Sequence, residues 1–404
     1  HGPSAAFKDL ALQLLPHLMQ LSREDLGDTR HYSIVAATSG DTGKAAMEAF
    51  RGMDDMSIVV YYPAKGVSPI QEKQMLSAQG DNCFVYAVDG DFDLAQRQVK
   101  TIFQDKALEE TLAEKNICLS SANSMNWGRL LPQIVYYASA YLDLLGQEKL
   151  EAEEVFDVVV PSGNFGNIMA AWYAKQMGVP IGNLYCASNK NKVLSDFIRT
   201  GTYDRKRSLF KTSSPSMDIL VSSNIERLLF ELTGHDKAKV SGWMESLQEK
   251  GTYQLDPETR RELKALFQGA YADDRLVAST IKSVYDTTDH MIDPHTAVAF
   301  AAYDLLTRKE KKEDLNKVVY VSTASIYKFH EAVAEAVFPT REVRSLSLQE
   351  LIDKLETESG IELSGSIERA LAYNEEAGAA LKREDIKASL IQSLNRLTGR
   401  DIGL

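Results

Sequence analysis

Short apolar runs rich in β-branched residues alternate with helix-forming segments, and this alternation restricts the possible folds of the chain more than any other feature. Residues 33–37, 57–62 and 84–88 are the clearest runs, and a segment with helical spacing follows each one. Strands that alternate with helices form βαβ units, whose parallel strands are covered by helices on both faces. The pattern therefore predicts an α/β protein with parallel-rich, twisted sheets flanked by helices.

The alternation stops at a charged connector, residues 147–154, and restarts at residues 155–160. The chain has 404 residues, which is enough for two or more domains. Residues 200–270 are polar and predict an insertion of loops and helices, whereas residues 318–322 predict a final strand. A helical tail is predicted after residue 346. We therefore expect two domains, divided at the connector.

The acidic balance of the chain excludes several classes of protein. Forty-five Lys and Arg residues against 57 Asp and Glu residues give a net charge of −12, whereas proteins that coat nucleic acids or membranes need a basic surface. The sequence also lacks an apolar run near the ~20 residues of a membrane-spanning helix. Three widely separated cysteines and seven histidines without metal-binding spacing predict neither disulfides nor a metal site. We expect a cytoplasmic protein that binds neither nucleic acid nor membrane.

The segment Pro161-Ser-Gly-Asn-Phe-Gly-Asn167 lies between a predicted buried strand and a predicted helix. Its two glycines let the backbone approach an anion, and the start of a helix supplies unpaired N–H groups and the positive end of a dipole. Such a turn is typical of a site for a phosphate monoester. A tight turn without any ligand explains the same residues equally well.

The segment Thr38-Ser-Gly-Asp-Thr-Gly-Lys44 has the same strand-to-helix context but is not a P-loop. Only two residues separate Gly40 from Gly43, where a P-loop has four, and Ala45 follows the lysine instead of Ser or Thr. The turn is rich in hydroxyl groups and suits a carboxylate or phosphate. Capping of the following helix would also explain these residues.

Three further positions are ambiguous when each is taken alone. Arg129 follows Asn123 and Ser124 near a predicted helix start, so the three side chains either converge on one anion or form a cap beside a surface arginine. Lys8 stands at the head of an apolar helix, where most lysines are only solvated. Thr323 follows the last predicted strand, and composition alone gives it no role.

In this order, the segments resemble the threonine-synthase family of pyridoxal-phosphate (PLP) enzymes, which have fold type II and are related to tryptophan synthase β. The resemblance extends from residue 1 to residue 323 and is most specific in residues 37–43, 121–126 and 161–167. It is nearest to the longer bacterial and fungal members. Those have a segment before the lysine motif, so we expect an N-terminal part that precedes His1 to be missing here.

The resemblance implies a set of site residues. Lys8 would form the Schiff base with PLP, Thr323 would contact the pyridine nitrogen, and Asp41 would lie near the phenolic oxygen, where relatives have Asn. The residues expected to bind the PLP phosphate are Gly163, Asn164, Phe165, Gly166 and Asn167. Those expected to bind the substrate are Thr38, Ser39, Thr42, Asn123, Ser124 and Arg129. One departure concerns Thr323-Ala-Ser-Ile326, since the family often has Thr-Ala-His-Pro there.

The resemblance also implies an activity, the conversion of O-phospho-L-homoserine and water to L-threonine and phosphate. Two alternatives stay open, a phospho-lyase that yields 2-oxobutyrate and a non-catalytic PLP-binding protein. A dehydratase is disfavoured, because Arg129 would then have no phosphate to bind. We expect a monomer or homodimer. The expected organisation is a lysine-bearing segment 1–30 packed with the large domain, a substrate-side domain 31–147, and a large PLP-binding domain 148–404.

Overall fold

The computed structural model describes residues 2–124, 126–399 and 401–402. The strands are β1 (His31–Ala37), β2 (Met56–Pro63), β3 (Cys83–Val88), β4 (Ile117–Ser120), β5 (Phe156–Pro161), β6 (Ile181–Ser188), β7 (Thr202–Asp204), β8 (Thr252–Gln254), β9 (Phe267–Tyr271) and β10 (Lys317–Tyr320). The helices of the first half are α1 (Asp9–Leu26), α2 (Asp41–Phe50), α3 (Pro69–Leu76), α4 (Phe92–Gln104), α5 (Lys106–Glu114), α6 (Trp127–Leu130), α7 (Ile134–Gly146), α8 (Gly166–Gln176) and α9 (Val193–Thr200). The later helices are α10 (Ile225–Leu232), α11 (Lys237–Lys250), α12 (Pro257–Leu266), α13 (Asp274–Thr288), α14 (Pro294–Thr307), α15 (His330–Val337), α16 (Thr340–Val343), α17 (Leu348–Ser359), α18 (Gly365–Ala372) and α19 (Ile386–Thr398).

The chain forms two compact units, each built around its own parallel sheet. Unit 1 comprises the described residues of His1–Arg129 and Ile361–Leu404, and unit 2 comprises Leu130–Gly360. The strand order is β3–β2–β1–β4 in unit 1 and β10–β5–β6–β9 in unit 2. All neighbouring strands in both sheets are parallel. The predicted α/β class with parallel sheets flanked by helices is therefore confirmed.

The sheet of unit 1 is apolar on both faces because helices cover each face. Ile34 of β1 lies beside Ile58 of β2, and both pack with Leu12 of α1 in one buried cluster. Val35 faces the opposite way and packs with Leu390 of α19 in a second cluster. Helices from both ends of the chain thus complete the same unit.

The observed units differ from the predicted boundaries at 30, 147 and 148. Helix α1 packs into the core of unit 1, and the tail returns to unit 1, where the Tyr61 hydroxyl donates to the Ile386 carbonyl at 3.1 Å. The local pattern of a helix shows which of its faces is apolar but not which sheet that face covers. This is why sequence reasoning placed the tail with the other unit.

Unit 2 contains the whole of the predicted insertion, residues 200–270. Helices α10, α11 and α12 lie there, as does the antiparallel pair β7–β8. Residues 267–271, however, form β9, which extends the main sheet beside β6. The prediction missed this strand because Phe-Gln-Gly-Ala-Tyr has neither an apolar run nor a clear alternation.

Residues 127–146 form two helices rather than one. Helix α6 ends at Leu130, a 3₁₀ turn follows at Leu131–Gln133, and α7 begins at Ile134. Pro132 accounts for the break, since proline lacks an N–H group and disfavours helical geometry at the preceding residue. Within the described parts of both units, no helix is both long and apolar enough to cross a membrane.

Candidate functional site

Lys8 is held at the entrance of α1 by a hydrogen-bonded loop. The carboxylate of Asp9, the first residue of α1, accepts hydrogen bonds from the Ser4 N–H at 3.0 Å, the Ser4 hydroxyl and the Ala6 N–H at 3.3 Å. Ala5 has a left-handed backbone, with φ of 54°. A loop fixed at this many points gives Lys8 a defined position rather than a freely solvated one.

The Lys8 amine lies in a largely buried, polar setting in unit 1. Its side chain is 12% exposed, and Nζ is 3.8 Å from Oδ2 of Asp41, which is itself only 2% exposed. The amine also lies 4.8 Å from the centre of the Phe7 ring. A partly buried amine with a carboxylate neighbour has the environment of a functional lysine, in contrast to the solvated side chain that composition alone favoured.

The turn after β1 uses one of its hydroxyl groups to hold its own backbone. Oγ1 of Thr38 accepts hydrogen bonds from the Gly40 N–H at 3.0 Å and the Gly43 N–H at 2.8 Å. Ser39 and Thr42 are half-buried, and neither hydroxyl is bonded to another of the described residues. Thr38 therefore shapes the turn, while Ser39 and Thr42 have hydroxyl groups available for an anion.

Lys44 does not contribute to this turn as a P-loop lysine would. Its amine is buried and forms an ion pair with Glu48 at 2.6 Å, one helical turn further along α2. Burial lowers the pKa of Lys44, and the ion pair partly offsets this effect. The structure thus agrees with the exclusion of a P-loop from the spacing.

Arg129 is buried rather than superficial. Its side chain is 4% exposed, and Nη1 donates to the carbonyl of Ala122 at 2.7 Å. Burial lowers the pKa of Arg129 to about 10, so the guanidinium stays charged at neutral pH. Asn123 and Ser124 precede it in a half-buried turn. The sequence alternative of a surface arginine is therefore wrong.

The loop 163–167 of unit 2 has the irregular backbone of an anion-binding turn. Phe165 is left-handed, with φ of 62°, and directly precedes α8. Such a conformation is costly for a bulky residue, and the buried Phe165 ring is fixed by Phe267, 5.3 Å away between ring centres. The carbonyl of Asn164 accepts from the N–H and the side-chain amide of Asn224 at 3.2 and 2.9 Å. The turn is thus held in place with its N–H groups at the start of a helix.

Asn167 has a buried donor that no described residue satisfies. The Tyr137 hydroxyl contacts the backbone carbonyl of Asn167 at 3.1 Å and also its side-chain oxygen. This contact fixes the amide and turns Nδ2 the other way, where it has no hydrogen-bond partner in the described part of the chain. An unsatisfied buried amide is costly, so this donor indicates a missing acceptor such as a phosphate oxygen.

The two glycines of the loop, Gly163 and Gly166, differ in the space available for a side chain. A Cβ at residue 163 would lie 2.8 Å from the carbonyl oxygen of Ser216 and 3.3 Å from Cα of Met217. A Cβ at Gly166 would meet nothing closer than the Asn224 amide, at 3.4 Å. Protein packing therefore requires Gly163, whereas the space beside Gly166 is open to a ligand.

Thr323 lies just after β10 and is buried, and its hydroxyl is bonded to no other described residue. The departure Ser325-Ile326 has a local explanation, because the Ser325 hydroxyl caps the 3₁₀ helix Ile326–Phe329 through the Tyr327 N–H. The unusual residues thus start a helix and leave Thr323 available to a ligand.

Sequence reasoning missed two features near these residues. In unit 2, Nδ1 of His295 bonds Asp293 at 2.8 Å, and its buried Nε2 has no partner among the described residues. His295 also lies in the first turn of α14, which Asp293 caps. In unit 1, Gln71 bonds Asp41 at 2.9 Å, and the Ser68-x-x-Gln71 spacing was the available signal. No cluster of potential metal ligands occurs in the part of the chain that the structure describes.

Comparison with known proteins decides the family. A family model described as "Pyridoxal-phosphate dependent enzyme" matches residues 1–324. Threonine synthase of Saccharomyces cerevisiae is 34% identical over 412 residues, which cover 96% of this chain and 76% of that protein. The chain belongs to the threonine-synthase family of PLP-dependent enzymes. PLP is its cofactor.

Two further relatives of this threonine-synthase family member show how much of the chain the similarity covers. The PLP-bound threonine synthase from Brucella melitensis superposes with a TM-score of 0.81 at 34% identity, covering 99% of this chain and 77% of that one. Human "Threonine synthase-like 1" is 40% identical over 358 residues, or 87% of this chain. The chain spans about half of that relative's length, 47%.

The residues of unit 2 fit the cofactor. The α8 N-terminus, the unsatisfied Nδ2 of Asn167 and the open space at Gly166 suit a phosphate dianion. The Thr323 hydroxyl is a neutral group with the capacity to meet a ring nitrogen. These donors agree with the PLP chemistry of the family, and their individual contacts with PLP are proposals.

Alanine at the two glycines should separate packing from cofactor binding. Gly163→Ala is expected to lower the stability of unit 2 by about 1–3 kcal/mol, because its Cβ meets backbone that cannot move aside. Gly166→Ala should leave the melting temperature nearly unchanged and weaken PLP binding about tenfold or more. Thermal melting and equilibrium titration with PLP measure the two effects. Normal PLP affinity in Gly166→Ala would contradict the assignment of the loop to the phosphate of PLP.

Proposed function

We propose that this enzyme converts O-phospho-L-homoserine and water to L-threonine and phosphate. The observation that carries the proposal is Arg129, a buried and charged guanidinium in unit 1. The loop 163–167 has donors suited to the cofactor's phosphate, so Arg129 would serve a second anion. A substrate that carries its own phosphate needs such a group, whereas an unphosphorylated amino acid does not.

Lys8 is assigned the covalent attachment of the cofactor and the proton transfers. When bound, PLP withdraws electrons from the α-carbon of an amino acid attached to it. Once released from the cofactor, the Lys8 amine would take the proton from Cα and return one later in the cycle. Its position at the fixed entrance of α1 suits a base that must act repeatedly at one carbon.

The remaining steps remove phosphate and add water. A further proton leaves Cβ and phosphate leaves Cγ. A proton is then added at Cγ, which becomes the methyl group, and the hydroxyl of water adds at Cβ, so that the hydroxyl of threonine comes from solvent. Arg129, with Asn123 and Ser124, would stabilise the charge of the leaving phosphate. The hydroxyls of Ser39 and Thr42, in the turn that Thr38 shapes, would bind the substrate's carboxylate and phosphate.

The remaining site residues are proposed to hold the cofactor rather than the substrate. Thr323 would meet the ring nitrogen with a neutral hydroxyl, and the loop 163–167 would bind the phosphate. Asp41 contacts Lys8 directly. We therefore extend the role expected for Asp41 near the phenolic oxygen to include the charge of the lysine itself.

A phospho-lyase that gives 2-oxobutyrate is the second candidate. The identity to human "Threonine synthase-like 1" is 40%, against 34% to the yeast threonine synthase, and the name of the human relative does not state that it makes threonine. Both reactions require PLP and a phosphate pocket. They diverge only after phosphate has left, so the product decides between them. A non-catalytic PLP-binding protein is disfavoured by the partly buried Lys8 amine beside Asp41.

Product analysis tests the proposal. The purified protein is incubated with PLP and O-phospho-L-homoserine in water enriched in heavy oxygen, and products are analysed by mass spectrometry. We expect L-threonine with one solvent oxygen and an equal amount of phosphate. Formation of 2-oxobutyrate and ammonia would establish the second candidate instead. Release of no phosphate would reject both.

A further inference from the structure

Gln71 joins two elements of unit 1 through opposite ends of its side-chain amide. Gln71 lies in the first turn of α3 and is 1% exposed. Its Oε1 accepts from the Ser68 N–H at 3.1 Å, and its Nε2 donates to Oδ1 of Asp41 at 2.9 Å. A single buried amide therefore bridges the start of α3 and the start of α2.

The orientation of this amide is determined by its partners. Ser68 presents an N–H donor and Asp41 presents an acceptor, so a flipped amide would place donor against donor and oxygen against carboxylate. The Ser68 hydroxyl in turn accepts from the Gln71 N–H, which completes a capping box. The Nε2 donor is thus directed at Asp41 by the geometry of the helix start itself.

The backbone beside Asp41 leaves room for this amide and for little else. Gly40 has φ of 127°, and a Cβ there would lie 2.5 Å from Cδ and Nε2 of Gln71. Residue 40 therefore has to be glycine for two reasons, its backbone conformation and the passage of the glutamine side chain. The turn at Gly40 and the Gln71 amide are therefore in close complementary contact.

Asp41 receives the bond from Gln71 at one oxygen and faces Lys8 with the other. Oδ1 accepts from Gln71, and Oδ2 lies 3.8 Å from Nζ of Lys8. Asp41 is also the first residue of α2, where the helix dipole favours a negative charge. A hydrogen bond to the ionised form of a buried carboxylate stabilises that form, and the charge then stabilises the ammonium form of the nearby lysine.

We propose that Gln71 is a positioning residue that keeps the Asp41 carboxylate ionised and directed at Lys8, and thereby sets the charge of the Lys8 amine. The inference rests on the proposed function, in which Lys8 carries the cofactor. It adds a residue that acts through Asp41.

The alternative is that Gln71 only caps α3, and a neighbour on the same helix serves as the control. Gln74 is equally buried, and its Nε2 donates to the Ser366 hydroxyl at 2.6 Å. Gln71→Met and Gln74→Met remove one buried amide each from α3 at nearly constant volume. Only the first removes a donor from Asp41, so only the first should alter Lys8.

The test measures the reactivity of the Lys8 amine in the intact chain after removal of PLP. Acetic anhydride reacts with neutral amines, and peptide mass spectrometry compares its rate at Lys8 with that at the exposed Lys100 at neutral pH. We expect the relative rate to rise about tenfold or more in Asp41→Asn and about three- to tenfold in Gln71→Met. Gln74→Met should match the wild type, and the double variant Gln71→Met/Asp41→Asn should not exceed Asp41→Asn alone.

Two results would overturn the inference: an unchanged Lys8 rate in Gln71→Met, or the same increase on the Asp41→Asn background as on the wild type. Asp41→Asn leaves the capping box intact, so it still reports on Lys8 if Gln71→Met fails to fold. Borohydride reduction of the PLP-loaded chain tests the proposed function separately. A pyridoxyl group on a lysine other than Lys8 would reject the role of Lys8, whatever Gln71 does.

Discussion

Replacing Lys8 with alanine is expected to lower turnover by at least about a thousandfold while the fold survives. No other amine among the described residues of the candidate site takes its place as nucleophile and base, and losing such a group costs orders of magnitude in rate. The side chain extends from a loop held by Asp9 rather than by the lysine itself, so its removal should leave that loop intact. Turnover of O-phospho-L-homoserine and thermal melting measure the two parts.

Two further variants test whether the loss of activity in Lys8→Ala is specific to the amine of Lys8. Lys8→Arg keeps a positive charge beside Asp41 but cannot bond covalently to the cofactor, so it should be as inactive as Lys8→Ala. Lys100→Ala changes an exposed lysine of α4 and should behave as the wild type. Borohydride should fix a pyridoxyl group on Lys8 in the wild type and in Lys100→Ala. Normal turnover in Lys8→Ala would contradict the assignment.

Arg129→Leu is expected to lower kcat/KM for O-phospho-L-homoserine by roughly 30- to 1,000-fold without loss of the cofactor. A charge-assisted contact to a leaving phosphate contributes on the order of 2–4 kcal/mol to transition-state binding, which corresponds to that range. The guanidinium is buried and charged, so its electrostatic effect is weakly screened by solvent. Steady-state kinetics and PLP content together measure the outcome.

The structure suggests how to separate the charge of Arg129 from its packing. Arg129 also donates to the Ala122 carbonyl, so Arg129→Lys, which keeps a charge, should retain more activity than Arg129→Leu. Arg51 likewise donates to a backbone carbonyl, that of Gln79 at 3.2 Å, and Arg51→Leu serves as the matched control. Loss of PLP from Arg129→Leu, or normal kinetics, would place Arg129 outside the substrate's phosphate pocket.

The sheets could be predicted because their strands are buried on both faces. Residues 33–37 and 57–62 are apolar after an initial serine, and they lie within β1 and β2. The loop 163–167 follows such a strand, so its place between a strand and a helix could be predicted from the amino-acid sequence alone. Local sequence patterns are enough to predict the structure of a segment when its contacts in the fold are with residues close to it in the chain.

The rest of the fold depends on partners that are distant in sequence. Strand β9 pairs with β6 despite its Gln-Gly centre, and the tail packs with β1 although hundreds of residues separate them. In the site, the sequence did not indicate that the Thr38 oxygen accepts two backbone N–H groups of its own turn. Gln71 was hidden for the same reason, because only the folded chain brings it to Asp41.

The return of the C-terminal segment to unit 1 has a consequence for biosynthesis. The edge strand β3 is covered by Leu381, whose N–H donates to the Ala87 carbonyl at 2.8 Å and whose carbonyl accepts from Asp89 at 2.9 Å. A ribosome that adds about 5–20 residues per second needs roughly 15–60 s to pass from Val88 to Leu381. Unit 2 is continuous and is translated completely within that interval. The β3 edge of the nascent first unit therefore stays unpaired until the segment around Leu381 has been translated. An unpaired sheet edge is a template for pairing with other chains.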